Sequence, residues 1–270
     1  MDRRSFVAAL SAAPFAACID ARALLDRPGL QLYTVRDAMA EDVDRTLSAL
    51  AEIGYREVEL AGTYGMTPAQ MRTRLDAAGL RAVSGHVDLA DVRGEWQRTL
   101  DGAAELGHEL VVVPWLPEEA RSVEAIRAVA DEFNRAGEAA ARMGLRLGYH
   151  NHEFEFVTAD GGVPMSFLLD ETDPALVHWQ MDIFWTVHAG EDPHAWLDRY
   201  SGRVTSVHIK DRTPDGSMVD VGDGVIDFAT ILSAAEAQGL RHGFVEHDNP
   251  GEPITSVRRS FEYLMTGVSP

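Results

Sequence analysis

Residues 149–156, YHNHEFEF, crowd His150, His152, Glu153 and Glu155 between aromatic side chains. A solvated loop has no use for Phe154 and Phe156, and a core strand does not tolerate four ionisable groups without partners. Similar outposts recur along the chain: Glu59 in VELAG, His86 in SGHV, Asp182 in QMDIFW, His208 and Lys210 in VHIKD, and Glu246 in VEHD. Singly, each has a structural reading as a helix cap or an ion-pair partner. Together they point elsewhere. Asp182, His208 and Glu246 gathered in one confined space would repel and be costly to desolvate, and a divalent cation relieves both problems. Oxygen and nitrogen donors without thiolate make manganese the first expectation, with cobalt, zinc or magnesium as alternatives. A fourth ligand is expected from YHNHEFEF. Strand alternation puts His150 and His152 on one face and Asn151 and Glu153 on the other. His150, ending the regular run, is the first choice and Glu153 the substitute.

These residues need a scaffold that brings them to one place. Eight β-type runs are legible: 29–35, 56–62, 81–87, 109–115, 145–151, 177–185, 204–210 and 242–248. Helical patterns separate them. In DVDRTLSALAEIG, Val43, Leu47, Leu50 and Ile53 recur at helical spacing. TPAQMRTRLDAAG starts with Thr67 as N-cap and Pro68 at the first position and stops at Gly79. Eight βα units predict an α/β fold of one closed (β/α)8 TIM barrel rather than an open doubly wound sheet, and no G-x-G-x-x-G follows any strand. In such a barrel the site gathers at the C-terminal ends of the strands, where Glu59, His86, Trp115, the His150 group, Asp182, His208, Lys210 and Glu246 all fall. Gly222 and Gly224 in DVGDGVIDF predict a tight turn, with Asp227 capping the next helix.

At these motifs the sequence resembles the xylose-isomerase-like sugar phosphate isomerase/epimerase family. The resemblance runs from LQLYTVRD through VELAG, YHNHEFEF, MDIFWTVHAG, VHIKD and VGDGVIDF to VEHD. It implies ligands on strands five to eight, at the strand-five position, Asp182, His208 and Glu246. Many members carry glutamate before an asparagine at strand five, where this chain has His150 before Asn151.

The implied chemistry is isomerisation or epimerisation of a sugar or keto sugar by proton transfer through a metal-stabilised enediolate. Glu246 is the expected proton carrier, with Glu153 or Glu155 opposite. Lys210 and His86 are placed for hydroxyls or a developing oxyanion, unless Lys210 simply pairs with Asp182 or Asp211. Glu59 is a second base or a partner that orients a ligand histidine. His152, Glu155, Trp115 and Trp185, with Phe154 and Tyr33, are expected to wall the substrate site. A lyase that expels a group at the β carbon, for example from a 3-keto glycoside, is the runner-up, and a non-catalytic sugar-binding barrel comes third.

Composition sets the remaining bounds. With 270 residues, 46% hydrophobic and 25% charged, the chain has ample material for one core. A net charge of −19 would repel phosphate backbones, so nucleic acid is a poor partner and a small-molecule sugar the expected one. Residues 1–27 read as a twin-arginine-type signal and short linker, with Arg3 and Arg4 before an apolar run, leaving 28–270 as the barrel. Export to the periplasm is therefore expected. The sole cysteine, Cys18, follows PFAA and is a candidate lipid anchor. The family resemblance also allows a homo-oligomer.

Overall fold

The computed structural model describes residues 27–159 and 161–266. The signal segment and Cys18 lie outside the described residues. Eight parallel strands close into a barrel: β1 (Gly29–Gln31), β2 (Glu57–Leu60), β3 (Arg81–His86), β4 (Leu110–Val113), β5 (Arg146–His150), β6 (Val177–Asp182), β7 (Val204–Ile209) and β8 (His242–Val245). Every strand pairs with its sequence neighbours, and β1 closes the ring on β8 through Leu30 opposite Val245. An outer ring of helices follows: α1 (Val43–Ile53), α2 (Pro68–Ala78), α3 (Trp96–Leu106), α4 (Val123–Arg142), α5 (Pro164–Glu171), α6 (Pro193–Arg199), α7 (Phe228–Ala237) and α8 (Pro253–Thr266). Among the described residues no helix is long and apolar enough to cross a membrane.

Local chemistry sets the element ends. Thr67 accepts from Gln70 N–H while the Gln70 side chain accepts from Thr67 N–H, a reciprocal cap, and Gly79 closes α2 at φ +72°. The strands stop earlier than the expected runs, and local chemistry explains the ends of 29–35, 109–115 and 177–185. The Gln31 side chain accepts from Tyr33 N–H and turns the chain into a short 3-10 helix, Leu32–Val35. Pro114, which has no N–H to donate, follows β4 and puts Trp115 in a loop. Asp182 ends β6 by capping the short helix Ile183–His188 through Trp185 N–H, so Trp185 is helical.

The apolar core lies between the strands and the helices: Val58, Val111, Val113, Leu147, Trp179, Met181 and Val207 point outward from the sheet into it and are buried. Inside the barrel, polar side chains stand among the buried Leu110, Val112 and Phe244. Gln31, Glu59, Ser84, Gln180, Ser206 and His208 have no exposed surface at all. After β7, Asp211 accepts from the N–H groups of Arg212, Gly222, Gly224 and Ile226, which fixes the turn expected at DVGDG, and Asp227 caps α7 through Thr230 N–H.

Gly137 in α4 marks a close helix approach, because a Cβ there would sit 2.5 Å from the Leu176 carbonyl oxygen. In an exposed helix interior Gly→Ala is worth about 1 kcal/mol of stabilisation. Here the clash reverses the sign, and Gly137→Ala is expected to cost about 1–3 kcal/mol in denaturant unfolding. A stabilised Gly137→Ala variant would show that α4 does not press on this backbone.

Candidate active site

The fully buried Glu59 is the floor of the site. Gln31 Nε2 donates to its Oε1 at 2.7 Å, and Ser84 Oγ and Gln180 Nε2 donate to its Oε2 at 2.6 and 2.8 Å. His208 Nε2 lies 2.6 Å from Oε1, and His86 Nε2 lies 3.1 Å from it. Burial alone would raise the Glu59 pKa, but the charges and hydrogen bonds of His86 and His208 outweigh it and hold the carboxyl well below its usual range. Glu59 thus stands as an ionised partner against His208 and has no exposed surface.

Above this floor His208 turns Nδ1 toward Glu246 Oε2 at 2.6 Å and Asp182 Oδ2 at 4.0 Å. Ligand atoms of Asp182, His208 and Glu246 all lie within 4.8 Å of one another, as do those of His86, His150 and His208. His150 Nδ1 lies 3.2 Å from Gln180 Oε1, an acceptor because Gln180 Nε2 is already donating to Glu59 and Ser206. The tautomer follows: Nδ1 carries the proton, and the Nε2 lone pair faces Asp182 Oδ2 at 3.6 Å. Burial, then the neighbouring cations, keep the His150 pKa well below the ordinary imidazole value. A neutral imidazole with a free lone pair is what a metal requires of a histidine.

Lys210 is the competing cation. Its Nζ sits 3.0 Å from Asp182 Oδ2 and 2.8 Å from both Glu246 Oε2 and Asp248 Oδ1. It therefore pairs with Asp182, whereas Asp211 is engaged in its own loop. Burial lowers the Lys210 pKa, but the three carboxylates override this and hold it well above normal. At Asp182 burial wins over Lys210 and pushes the carboxyl up to about 6. Its Oδ2 is buried and, despite the nearby ammonium, accepts no well-directed hydrogen bond. The orphaned Asp182 oxygen, Glu246 and His208, whose far nitrogen is held by Glu59, fit a divalent cation in donor type, and the neutral His150 beside Asp182 offers a further nitrogen.

Other expected site residues separate. Glu153 is half-buried at the N-cap of the short helix Phe154–Phe156 and stands outside both clusters, which leaves His150 as the strand-five residue at the site. The strand ends at His150, so alternation does not carry Glu153 inward. Glu155 is 1% exposed and faces neither a substrate nor the metal cluster: it accepts from Tyr149 Oη–H and from His152 N–H at 2.8 Å. Burial pushes its carboxyl up to about 7. His86, Trp115, His150, His152, Lys210 and Glu246 line a cavity of about 770 Å³ at the C-terminal mouth of the barrel. Trp185 stands behind His152, with ring centroids 5.5 Å apart, and its buried Nε1 has no partner.

Sequence reasoning missed Gln31, Ser84, Gln180 and Ser206, the polar layer beneath the cluster. The signal was present: Ser84, Gln180 and Ser206 stand two residues before His86, Asp182 and His208, on the same strand face. It also missed Asn151 as a clamp, its Oδ1 accepting from Trp179 Nε1 at 2.8 Å and from Asp182 N at 3.0 Å.

A family model described as xylose isomerase-like TIM barrel matches residues 47–266. An inosose dehydratase of Geobacillus kaustophilus is 27% identical over 233 residues, covering 70% of this chain and 74% of the relative. A sugar phosphate isomerase/epimerase from Parabacteroides distasonis superposes with a TM-score of 0.79 at 27% identity, over 95% of this chain and 99% of that one. A 3-keto-D-glucoside 4-epimerase from E. coli has a TM-score of 0.66 over 84% and 95% of the two chains. At 18% identity it shares the fold alone.

Metal analysis of the purified chain after loading with manganese should find one ion per chain. Asp182→Ala and His208→Ala should each lose most of it, and Glu153→Ala should keep it; full metal in both of the first two variants would dismiss the centre. A second expectation concerns pH. Glu155 holds its proton more tightly in the fold, at about 7 against 4.5, so its contribution is complete below 4.5 and fades as pH rises through 7. Unfolding free energies measured from pH 5 to 8 should therefore shift in favour of Glu155→Gln relative to wild type, by on the order of 2–3 kcal/mol. A pH-independent difference would show that Glu155 is ionised throughout.

Proposed function

The chain belongs to the xylose isomerase-like TIM barrel family, and on that premise we propose that it is a metal-dependent enzyme that moves a proton at the carbon beside a carbonyl in a sugar or keto sugar. One observation carries the reading: ligand atoms of Asp182, His208 and Glu246 lie within 4.8 Å of one another, His150 Nε2 stands 3.6 Å from Asp182, and His150, Lys210 and Glu246 line an open cavity. Asp182, His208, Glu246 and His150 would hold the ion, which when bound would polarise the substrate carbonyl.

The protein groups divide the rest of the work. Glu246 is the base. One of its oxygens is held by His208 and Lys210, and the residue lines the cavity, so the other is available to a substrate proton. Lys210, kept charged by its three carboxylates, stands where negative charge would build on the substrate oxygen. On the other side of the cavity His152 takes the place expected of Glu153 or Glu155. Burial, then Lys210, lower its pKa to about 3, so it is a neutral imidazole at working pH, and its Nδ1 has no partner. Pro114 and Trp115 narrow the cavity above it.

Return of the proton to the same or the adjacent carbon gives epimerisation or isomerisation, our first reading. Expulsion of a group at the β carbon gives a lyase, which the dehydratase relative favours. Both begin with the same abstraction. Export by the twin-arginine route is part of the proposal and rests on Arg3 and Arg4.

Incubation in D₂O with ketoses, aldoses and 3-keto glycosides, with and without manganese, tests the reading. Deuterium should enter at the carbon beside the carbonyl only with metal, and Lys210→Met should slow its entry about 10²-fold or more. Product analysis separates epimer from eliminated product. No metal-dependent exchange with any of the three classes would defeat the proposal.

A further inference from the structure

Five large apolar side chains are exposed among the described residues, and the two aromatic ones, Tyr33 at 43% and Trp115 at 47%, line the same cavity mouth. Aromatic rings exposed together at a cavity rim call for a ligand, because isolated exposed apolar residues scatter over a surface. Both rings are held in place. The Arg36 guanidinium lies 4.2 Å from the Tyr33 centroid and is anchored on Tyr33 O, Asp248 O and Asn249 Oδ1. Arg121 lies 4.3 Å from the Trp115 centroid and 3.7 Å from that of Phe154, with its Nε donating to Leu116 O. An arginine lies against each ring, and each ring keeps nearly half of its surface exposed.

The charges around the rings choose the ligand class. Asp88, Asp91, Asp248 and Glu246 line the mouth, and Lys210 is the one lysine or arginine that lines it among the described residues. Lys210 is 2% exposed and already shared among three carboxylates. Arg36 and Arg121 lie against the rings but are engaged by Tyr33 O, Asp248 O, Asn249 Oδ1 and Leu116 O, so a phosphate at the mouth would meet mostly acceptors. Sugar hydroxyls, which can donate, would find carboxylates, and the apolar faces of a sugar ring would find Tyr33 and Trp115. There is room for more than one ring, because the cavity that Tyr33 and Trp115 line measures about 770 Å³.

We infer that Tyr33 and Trp115 form an outer subsite for a second, uncharged sugar ring, so that the enzyme acts on a neutral glycoside of at least two rings and discriminates against phosphorylated sugars. This rests on the function proposed above, since the inner ring is the one that meets the base.

Titration calorimetry of the manganese-loaded protein with 3-ketoglucose, its 6-phosphate and 3-ketocellobiose tests it. The two-ring compound should bind at least tenfold more tightly than 3-ketoglucose, and the 6-phosphate at least tenfold more weakly. In Trp115→Ala and in Tyr33→Ala the ratio of two-ring to one-ring affinity should fall at least fivefold. Equal affinity for one and two rings, equal loss of both in the variants, tight binding of the 6-phosphate, or no binding of any compound would each overturn the subsite. Binding is read independently of turnover. A two-ring preference without deuterium exchange would therefore sink the proton-transfer reading and leave the subsite standing.

Discussion

The imidazole of His208, held between two carboxylates at 2.6 Å on each side, is the contact on which the site depends. Its lower nitrogen answers to Glu59 and its upper nitrogen to Glu246, so one ring joins the closed interior of the barrel to the open mouth. Burial would strip this imidazole of its proton, but the Glu246 and Glu59 charges push its pKa up to about 10, so a metal binding at Nδ1 would have to displace that proton. A buried cation is tolerable only where acceptors surround it, and here they come from β2 and from the residue just past β8. Those segments flank β1, so the contact also ties the two sides of the barrel seam.

Much of the fold was legible because the signals were local. Reciprocal capping at Thr67 and Gln70, glycine at helix ends and eight alternating units each act within a few residues, and together they leave a closed barrel as the economical solution. The juxtaposition of Asp182, His208 and Glu246 followed from topology, since parallel strands put residues that end them at one rim. What was not legible arose where the chain leaves the strand. Glu153 and Glu155 belong by pattern to the His150 strand, yet the strand stops at His150 and a 3-10 turn carries Glu155 into the protein against Tyr149. Asp182 stops its strand by capping, which moved Trp185 to a helix. Gln31, Ser84, Gln180 and Ser206 escaped notice because uncharged polar residues in strands read as edge or solvent positions, not as the packing of a barrel interior.

Electrostatics and packing are the same question at this site. The barrel centre holds many groups that must hydrogen-bond to one another beside Leu110, Val112 and Phe244, and the ring of apolar residues between strands and helices carries most of the burial. Lys210 shows the balance: its three acidic partners make it a permanent ammonium at a depth where an isolated lysine would lose its proton. The same ammonium keeps Asp182 and Glu246 from repelling one another.

The amide of Gln180 has a consequence for how such a barrel can change over generations. Its nitrogen end is committed to Glu59 and Ser206, so its oxygen end must meet a donor, and His150 supplies one. A glutamate at position 150 would set oxygen against oxygen. Rotating the amide to greet it would in turn confront Glu59. Histidine at the fifth strand is therefore tied to the amide beneath it, and exchanging it for glutamate would disturb that layer, where His86 Nε2 also lies 3.1 Å from the Gln180 oxygen.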